Sequence, residues 1–174
     1  MIDPLFLQIM ASPIDINYKI ASTEEEFSMG RDLFQAYADS LSIDLSFQDF
    51  DAELKTIDKQ YNRPRGALLL AYANHTAVGC AAIREWDSET AELKRMFVLS
   101  DYRKYKIGYT LLTKIIAIAA ESGYQKIRLD TLTEMEQAQK LYRAFGFYEI
   151  PSYRFNPIAG AVYMEKVLPS SRKK

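Results

Sequence analysis

Leu93-Lys94-Arg95-Met96-Phe97-Val98-Leu99-Ser100-Asp101-Tyr102-Arg103-Lys104-Tyr105-Lys106-Ile107-Gly108 changes its periodicity part-way along. Hydrophobic and β-favouring residues cluster from Leu93 to Leu99, which predicts a strand. Ser100 and Asp101 break the run, and a basic turn follows. From Ile107 onward, Ile107, Leu111, Leu112, Ile115, Ile116 and Ala119 fall at helical spacing and make one apolar face. A strand, a basic turn and a helix start together form a local anion site. The first amide N–H groups of a helix lack intrahelical partners, and the helix dipole is positive at that end.

Downstream, the helix is expected to end near Gly123. Lys126–Leu132 reads as a strand, and 136–145 as a helix closed by Gly146. Residues 147–150 and Ala161–Val167 read as two last strands around a loop. Upstream, Asp87-Ser88-Glu89-Thr90 is a turn, and Val78–Trp86 and Ala67–Tyr72 are strands joined by Ala73-Asn74-His75-Thr76 as a hairpin. Pro64 and Gly66 mark 61–66 as a loop. One helical pattern covers Phe47–Ile57, and another runs through Phe27, Leu33, Phe34, Tyr37 and Leu41 after the helix-start signal Ser22-Thr23-Glu24-Glu25-Glu26. Alternation over Ile14–Ile20 predicts a half-buried strand.

At 174 residues, with 48% hydrophobic and 26% charged residues, the chain has the size and balance of one globular domain with its own core. The expected division is an N-terminal arm at 1–13, a domain at 14–168 and a disordered basic tail at 169–174. The apolar, aperiodic arm is either a disordered leader or a segment packed on the body or on a second subunit, which leaves room for a homodimer. Lys and Arg total 22 against 23 Asp and Glu, so no global charge draws the chain to nucleic acid or to a membrane. No apolar run approaches a membrane span, and the start lacks the basic segment of a signal peptide. The single cysteine, Cys80, fits a reducing compartment, so a cytoplasmic setting is the expectation. His75, the only histidine, has no partners for a metal site, and no metal is expected.

Arg103-x-x-Lys106-x-Gly108 resembles the coenzyme-A pyrophosphate loop of the GNAT N-acetyltransferases, usually Arg/Gln-x-x-Gly-x-Gly/Ala, with Lys106 standing where the family has its first glycine. Ala138-x-x-Leu141-Tyr142-x-x-x-Gly146-Phe147 resembles the C-terminal helix signature of that family. The resemblance implies an α/β fold for 18–167, with a mixed, mostly antiparallel central sheet flanked by helices. It implies that the strands holding Leu93–Leu99 and Lys126–Leu132 splay apart to admit acetyl-CoA as co-substrate.

By the same resemblance, Met96 and Val98 offer main-chain groups to the pantetheine arm. Arg103, Lys104, Lys106, Ile107, Gly108 and Tyr109 surround the pyrophosphate. Tyr142 donates a proton to the leaving thiolate; a phenol near pKa ~10 stays protonated at neutral pH. The segment Thr131-Leu132-Thr133-Glu134-Met135 lacks the asparagine that the family often places there.

Acetyl transfer to an amine needs that amine deprotonated, and Glu92 is the candidate base, directly or through water. By the period of two it shares a strand face with Lys94 and Met96. The other reading of Glu92 is a surface glutamate, or one salt-bridged to Lys94 or Arg95. Arg65 and Arg154 are candidates for gripping a carboxylate on a small amine acceptor, since a guanidinium suits that group, or else they are solvated surface arginines. The function implied is an N-acetyltransferase acting by direct attack in a ternary complex. The alternatives are a noncatalytic acyl-CoA-binding module and an unrelated nucleotide-phosphate binder.

Overall fold

The computed structural model describes residues 14–169. The expected arm at 1–13, and the tail from 170 on, lie outside the described residues. Strand β1 (Ile16–Ile20) leads into helix α1 (Glu24–Ser40). The predicted start signal forms a capping box: the Glu26 amide donates to Thr23 Oγ1 at 3.3 Å, and the Thr23 amide donates back to the Glu26 carboxylate at 3.1 Å.

The single helix expected over 47–57 is instead broken. A 3-10 turn (Ser46–Gln48) precedes α2 (Phe50–Lys55) and α3 (Ile57–Gln60). Two residues cause the breaks. Asp49 takes φ +53°, and Thr56 leaves the helical region while its hydroxyl donates to the Ala52 carbonyl at 2.8 Å.

Strands β2 (Ala67–Ala73) and β3 (Thr76–Glu85) make the expected hairpin, and β4 (Thr90–Val98) follows. After a 3-10 segment (Ser100–Tyr105) come α4 (Ile107–Glu121), β5 (Lys126–Leu132), α5 (Glu136–Ala144), β6 (Tyr148–Ile150) and β7 (Ala161–Val167). Gly123 and Gly146 end α4 and α5 at φ +87° and +85°, conformations that glycine adopts without a Cβ penalty.

The seven strands form one sheet, ordered β1-β2-β3-β4-β5-β7-β6. Every neighbouring pair is antiparallel except β4 and β5, which run parallel and pair only from Thr90–Glu92 to Lys126–Arg128. Beyond Glu92 the two strands part.

Alternating side chains give the sheet two apolar faces. Leu69, Ile83, Leu93 and Ile127 pack under α4 through Ile107, Leu111, Leu112 and Ile115. Leu68, Leu70, Cys80 and Ala82 pack under Phe27, Leu33 and Phe34 of α1 and Ile57 of α3. Leu111 and Leu112 are fully buried, so truncating either to alanine costs about 2–5 kcal/mol.

A β-bulge interrupts the β3–β4 ladder where the register slips between Cys80/Phe97 and Ala82/Lys94. At its centre Arg95 takes φ +52°. The bulge changes which residues share a face. Glu92 and Lys94 point away from α4, whereas Met96 and Val98 pack toward it. The expectation that Glu92, Lys94 and Met96 share one face is therefore corrected: a period of two holds only while each residue opposes one partner.

Candidate active site

Where β4 and β5 part, an open cleft of about 980 Å³ runs between β4, the start of α4 and α5. Met96, Val98, Arg103, Lys106, Gly108 and Tyr109 line it, and Ala138 and Leu141 form the wall opposite. At one end sits the α4 N-terminus. Lys106 occupies its N-cap position at φ +57°, ψ +24°, the left-handed conformation in which the family motif has glycine. Its first intrahelical bond runs from the Thr110 amide to the Lys106 carbonyl, so the amides of Ile107, Gly108 and Tyr109 have no partner within the helix.

Arg103 and Lys106 add charge at the same point, and Arg103 is steadied by donating from Nε to the Val98 carbonyl at 3.1 Å. Ile107 contributes through its backbone alone, because its side chain is fully buried in the core. Lys104 points along the surface over the Tyr105 ring. Unpaired amides, two cations and an open cleft form a cradle suited to a diphosphate.

Tyr142, next to Leu141 on α5, does not itself line the cleft; it is nearly buried in the core, with its ring beside Phe147 at 5.7 Å between centroids. Burial, then the neighbouring Tyr37 and Asp130, push its phenol above the usual tyrosine range. It keeps its proton at any working pH. Tyr37, on α1, lines both the large cleft and a second, smaller cavity of about 50 Å³ on the far side of β4. That cavity is walled by Lys94, Arg95, Asp130, Gln48, Asn156 and apolar residues of 41–45.

Glu92 has no exposed surface. Arg84 donates from Nε to its Oε2 at 2.9 Å, Arg154 donates from Nη2 to its Oε1, and the Tyr153 hydroxyl donates to Oε1 at 3.3 Å. Lys94 Nζ stands 3.9 Å from Oε1. Direct contact between this carboxylate and an incoming amine is closed by its own partners. Its charged partners are Arg84, Arg154 and, at longer range, Lys94, whereas Arg95 pairs with Glu53.

Arg154 is part of that cluster, stacked over Trp86 and Tyr153, rather than free for a ligand. Arg65 is not at the cleft. It pairs with Glu85 at 3.1 Å, donates to the carbonyls of Ser88 and Ser122, and lies over the Tyr124 ring at 4.1 Å. These partners sit at the β3–β4 turn and the C-terminal end of α4, whereas the cleft opens at that helix's N-terminal end. The loop at 61–66 lies away from the large cleft.

Sequence reasoning missed Tyr37, Asp130 and the burial of Lys94. Lys94 carried a signal, one of two adjacent cations, with Arg95, inside a strand otherwise rich in apolar residues. Tyr37 and Asp130 are ordinary residues of a helix and a strand until the sheet places them together. Cys80 is the buried small side chain expected. Burial pushes its thiol up to about 12, and its Sγ donates to the Arg95 carbonyl at 3.2 Å. No cluster among the described residues could hold a metal ion, and none of their helices is long and apolar enough to cross a membrane.

Comparison with known proteins agrees with this geometry. The family model for acetyltransferases of the GNAT family matches residues 31–147. An uncharacterized N-acetyltransferase of Schizosaccharomyces pombe is 34% identical over 157 residues, covering 89% of this chain and 96% of that protein. An acetyltransferase of the GNAT family from Staphylococcus aureus superposes with a TM-score of 0.74 at 25% identity, over 89% of this chain and all of the other. The yncA protein of Salmonella typhimurium, solved with its cofactor acetyl-CoA, shares the fold at a TM-score of 0.65 and 14% identity, over 91% and 96% of the two chains. With the parted parallel strands, the cradle at the α4 start and a family match spanning most of the sheet, the chain belongs to the GNAT family of acetyltransferases.

Proposed function

We propose that the protein transfers acetyl from acetyl-CoA to a primary amine by direct attack within a ternary complex. The observation that carries this reading is the cleft between β4 and α5, with free α4 amides, Arg103 and Lys106 at one end. Acetyl-CoA supplies an acetyl group activated as a thioester. Its diphosphate suits the cradle of Ile107, Gly108 and Tyr109 amides, and Met96 and Val98 offer the edge of β4 to its amide-bearing arm.

Tyr142 holds a proton available to the departing sulfur. Deprotonation of the acceptor ammonium falls to water in the open cleft, with Glu92 organising the cations behind it rather than touching the amine. A cytoplasmic setting accompanies this reading, supported by the single, buried Cys80.

The test is a thermal-shift comparison of acetyl-CoA, CoA and ATP, followed by an amine screen that reads released thiol. Acetyl-CoA and CoA are expected to stabilise the fold more than ATP, and at least one primary amine to raise thiol release above the amine-free rate. Coenzyme binding without thiol release for any amine marks a binding module instead. Equal stabilisation by ATP marks a general nucleotide binder.

A further inference from the structure

The cavity on the far side of β4 has properties that the coenzyme cradle does not use. Its volume of about 50 Å³ holds on the order of three water-sized groups, too few for a whole substrate but enough for a compact polar head. Lys94 reaches its wall with a side chain only 4% exposed. A buried ammonium carries three donors that need acceptors. Among the described residues Lys94 has one long hydrogen bond, to Gln48 Oε1 at 3.4 Å, and a distant ion pair with Glu92 at 3.9 Å.

Glu92 cannot serve it better, because Arg84 and Arg154 hold its oxygens at closer range. Three cations thus gather on one carboxylate. Arg154 Nε, moreover, is a buried donor with no partner. Arg95, the other cation on this wall, is matched by Glu53 and leaves the excess untouched. Burial, reinforced by Arg95 and Arg84 against Asp130, pulls the Lys94 ammonium down to about 8, the response of a cation short of an anion.

Across the same cavity stands Asp130, the acidic side chain on its wall, partly buried and, among the described residues, held by a long contact from Asn156 Nδ2 at 3.4 Å. Leu41, Ile43, Leu45 and Ile158 supply apolar surface between these groups.

We propose that the acetyl acceptor is a small primary amine that also bears a carboxylate, an amino-acid-like zwitterion, with its carboxylate head seated at Lys94 in this cavity and its amine directed past Tyr37, which lines both spaces, into the large cleft. The inference rests on the acetyl transfer proposed above and names its acceptor class. A carboxylate at Lys94 meets the missing acceptors and balances the cationic excess. Polyamines and other purely cationic amines meet the same excess as repulsion.

The test compares free α-amino acids with their carboxamides and with the corresponding decarboxylated amines, in the full-length protein, by thiol release at saturating acetyl-CoA. Carboxylate-bearing amines are expected to show kcat/KM at least tenfold above their carboxamides. Lys94→Met is expected to shrink that preference at least tenfold, chiefly through KM, and Lys94→Arg to restore part of it. Wild-type enzyme alone decides the matter if Lys94→Met fails to fold. Decarboxylated amines or carboxamides used as well as the acids overturn the acceptor class while leaving acetyl transfer in place. A preference that survives Lys94→Met intact overturns the assignment of Lys94. Thiol release with no amine at all, despite coenzyme binding, overturns both the class and the transfer reading.

Discussion

Arg95 and Glu53, 42 positions apart, meet as a buried bidentate pair: Nε donates to Oε1 at 3.1 Å and Nη2 to Oε2 at 2.6 Å. Burial alone would push the Glu53 carboxyl up, but Arg95 and the Tyr61 hydroxyl, which donates to Oε1 at 2.5 Å, hold it below its usual range. The pair grips the one β4 residue with positive φ, and so fixes the bulge that turns Met96 and Val98 to the cleft. Removing either partner leaves a buried, unmatched charge. Glu53→Ala or Arg95→Ala is expected to destabilise the fold by about 3–5 kcal/mol in urea unfolding. Coenzyme affinity, measured by calorimetry where the variant remains folded, should fall with it.

Lys106 pays a steric penalty for its left-handed backbone that glycine does not. Lys106→Gly is expected to recover up to about 1 kcal/mol of conformational strain, offset in part by the greater freedom of glycine in the unfolded chain. The same change removes a cation from the cradle. Acetyl-CoA binding should therefore weaken and lose part of its salt dependence while the melting temperature holds or rises. A fall in both would show that the side chain, not the backbone, dominates at this position.

Tyr142→Phe keeps the ring that packs on Phe147 and deletes the phenolic proton. The expected result is a kcat lower by on the order of 100-fold, with little change in coenzyme dissociation constant. Undiminished turnover would remove the phenol from the chemistry.

Acid stability turns on Glu26. Lys19 first, then the amides of Ser22 and Thr23, hold its carboxyl down to about 2 against the opposing effect of burial. A carboxyl with a folded-state pKa below its unfolded value stabilises the fold above about 4.5, and that contribution is lost as pH falls toward 2. Circular dichroism across this window should show stability declining with pH, and Glu26→Gln should flatten the decline.

Arg65→Ala is expected to leave the KM of every amine acceptor unchanged, because its guanidinium is spent on Glu85, Ser88 and Ser122 away from the cleft. Its cost should appear in thermal stability alone. A raised acceptor KM in steady-state assays would return this loop to the site.

The contrast between Arg65 and Tyr109 shows how far local reading reaches. Tyr109 follows a loop-to-helix signature whose ligand-facing amides are a property of the helix start itself, so the sequence suffices to place it at the cleft. Arg65 depends on which end of the sheet its loop joins, a long-range fact with no local mark. The caps at Thr23, Gly123 and Gly146 and the β2–β3 hairpin were legible for the same local reasons. The bulge was not. Arginine gives no notice of a positive φ, and its cause, Glu53, lies on another element. With the bulge unseen, the strand parity beyond Lys94 could only be misread, and the smaller cavity beside Lys94 stayed hidden with it.

The three-residue parallel ladder between Thr90–Glu92 and Lys126–Arg128 is the only direct strand pairing, among the described residues, that joins β1–β4 to β5–β7–β6. A sheet stitched by so short a seam owes much of its cohesion there to whatever spans the gap beyond the last stitch. A bound molecule that bridges the two flanks thus doubles as a suture, and the mechanical strength of the protein becomes a readout of its occupancy.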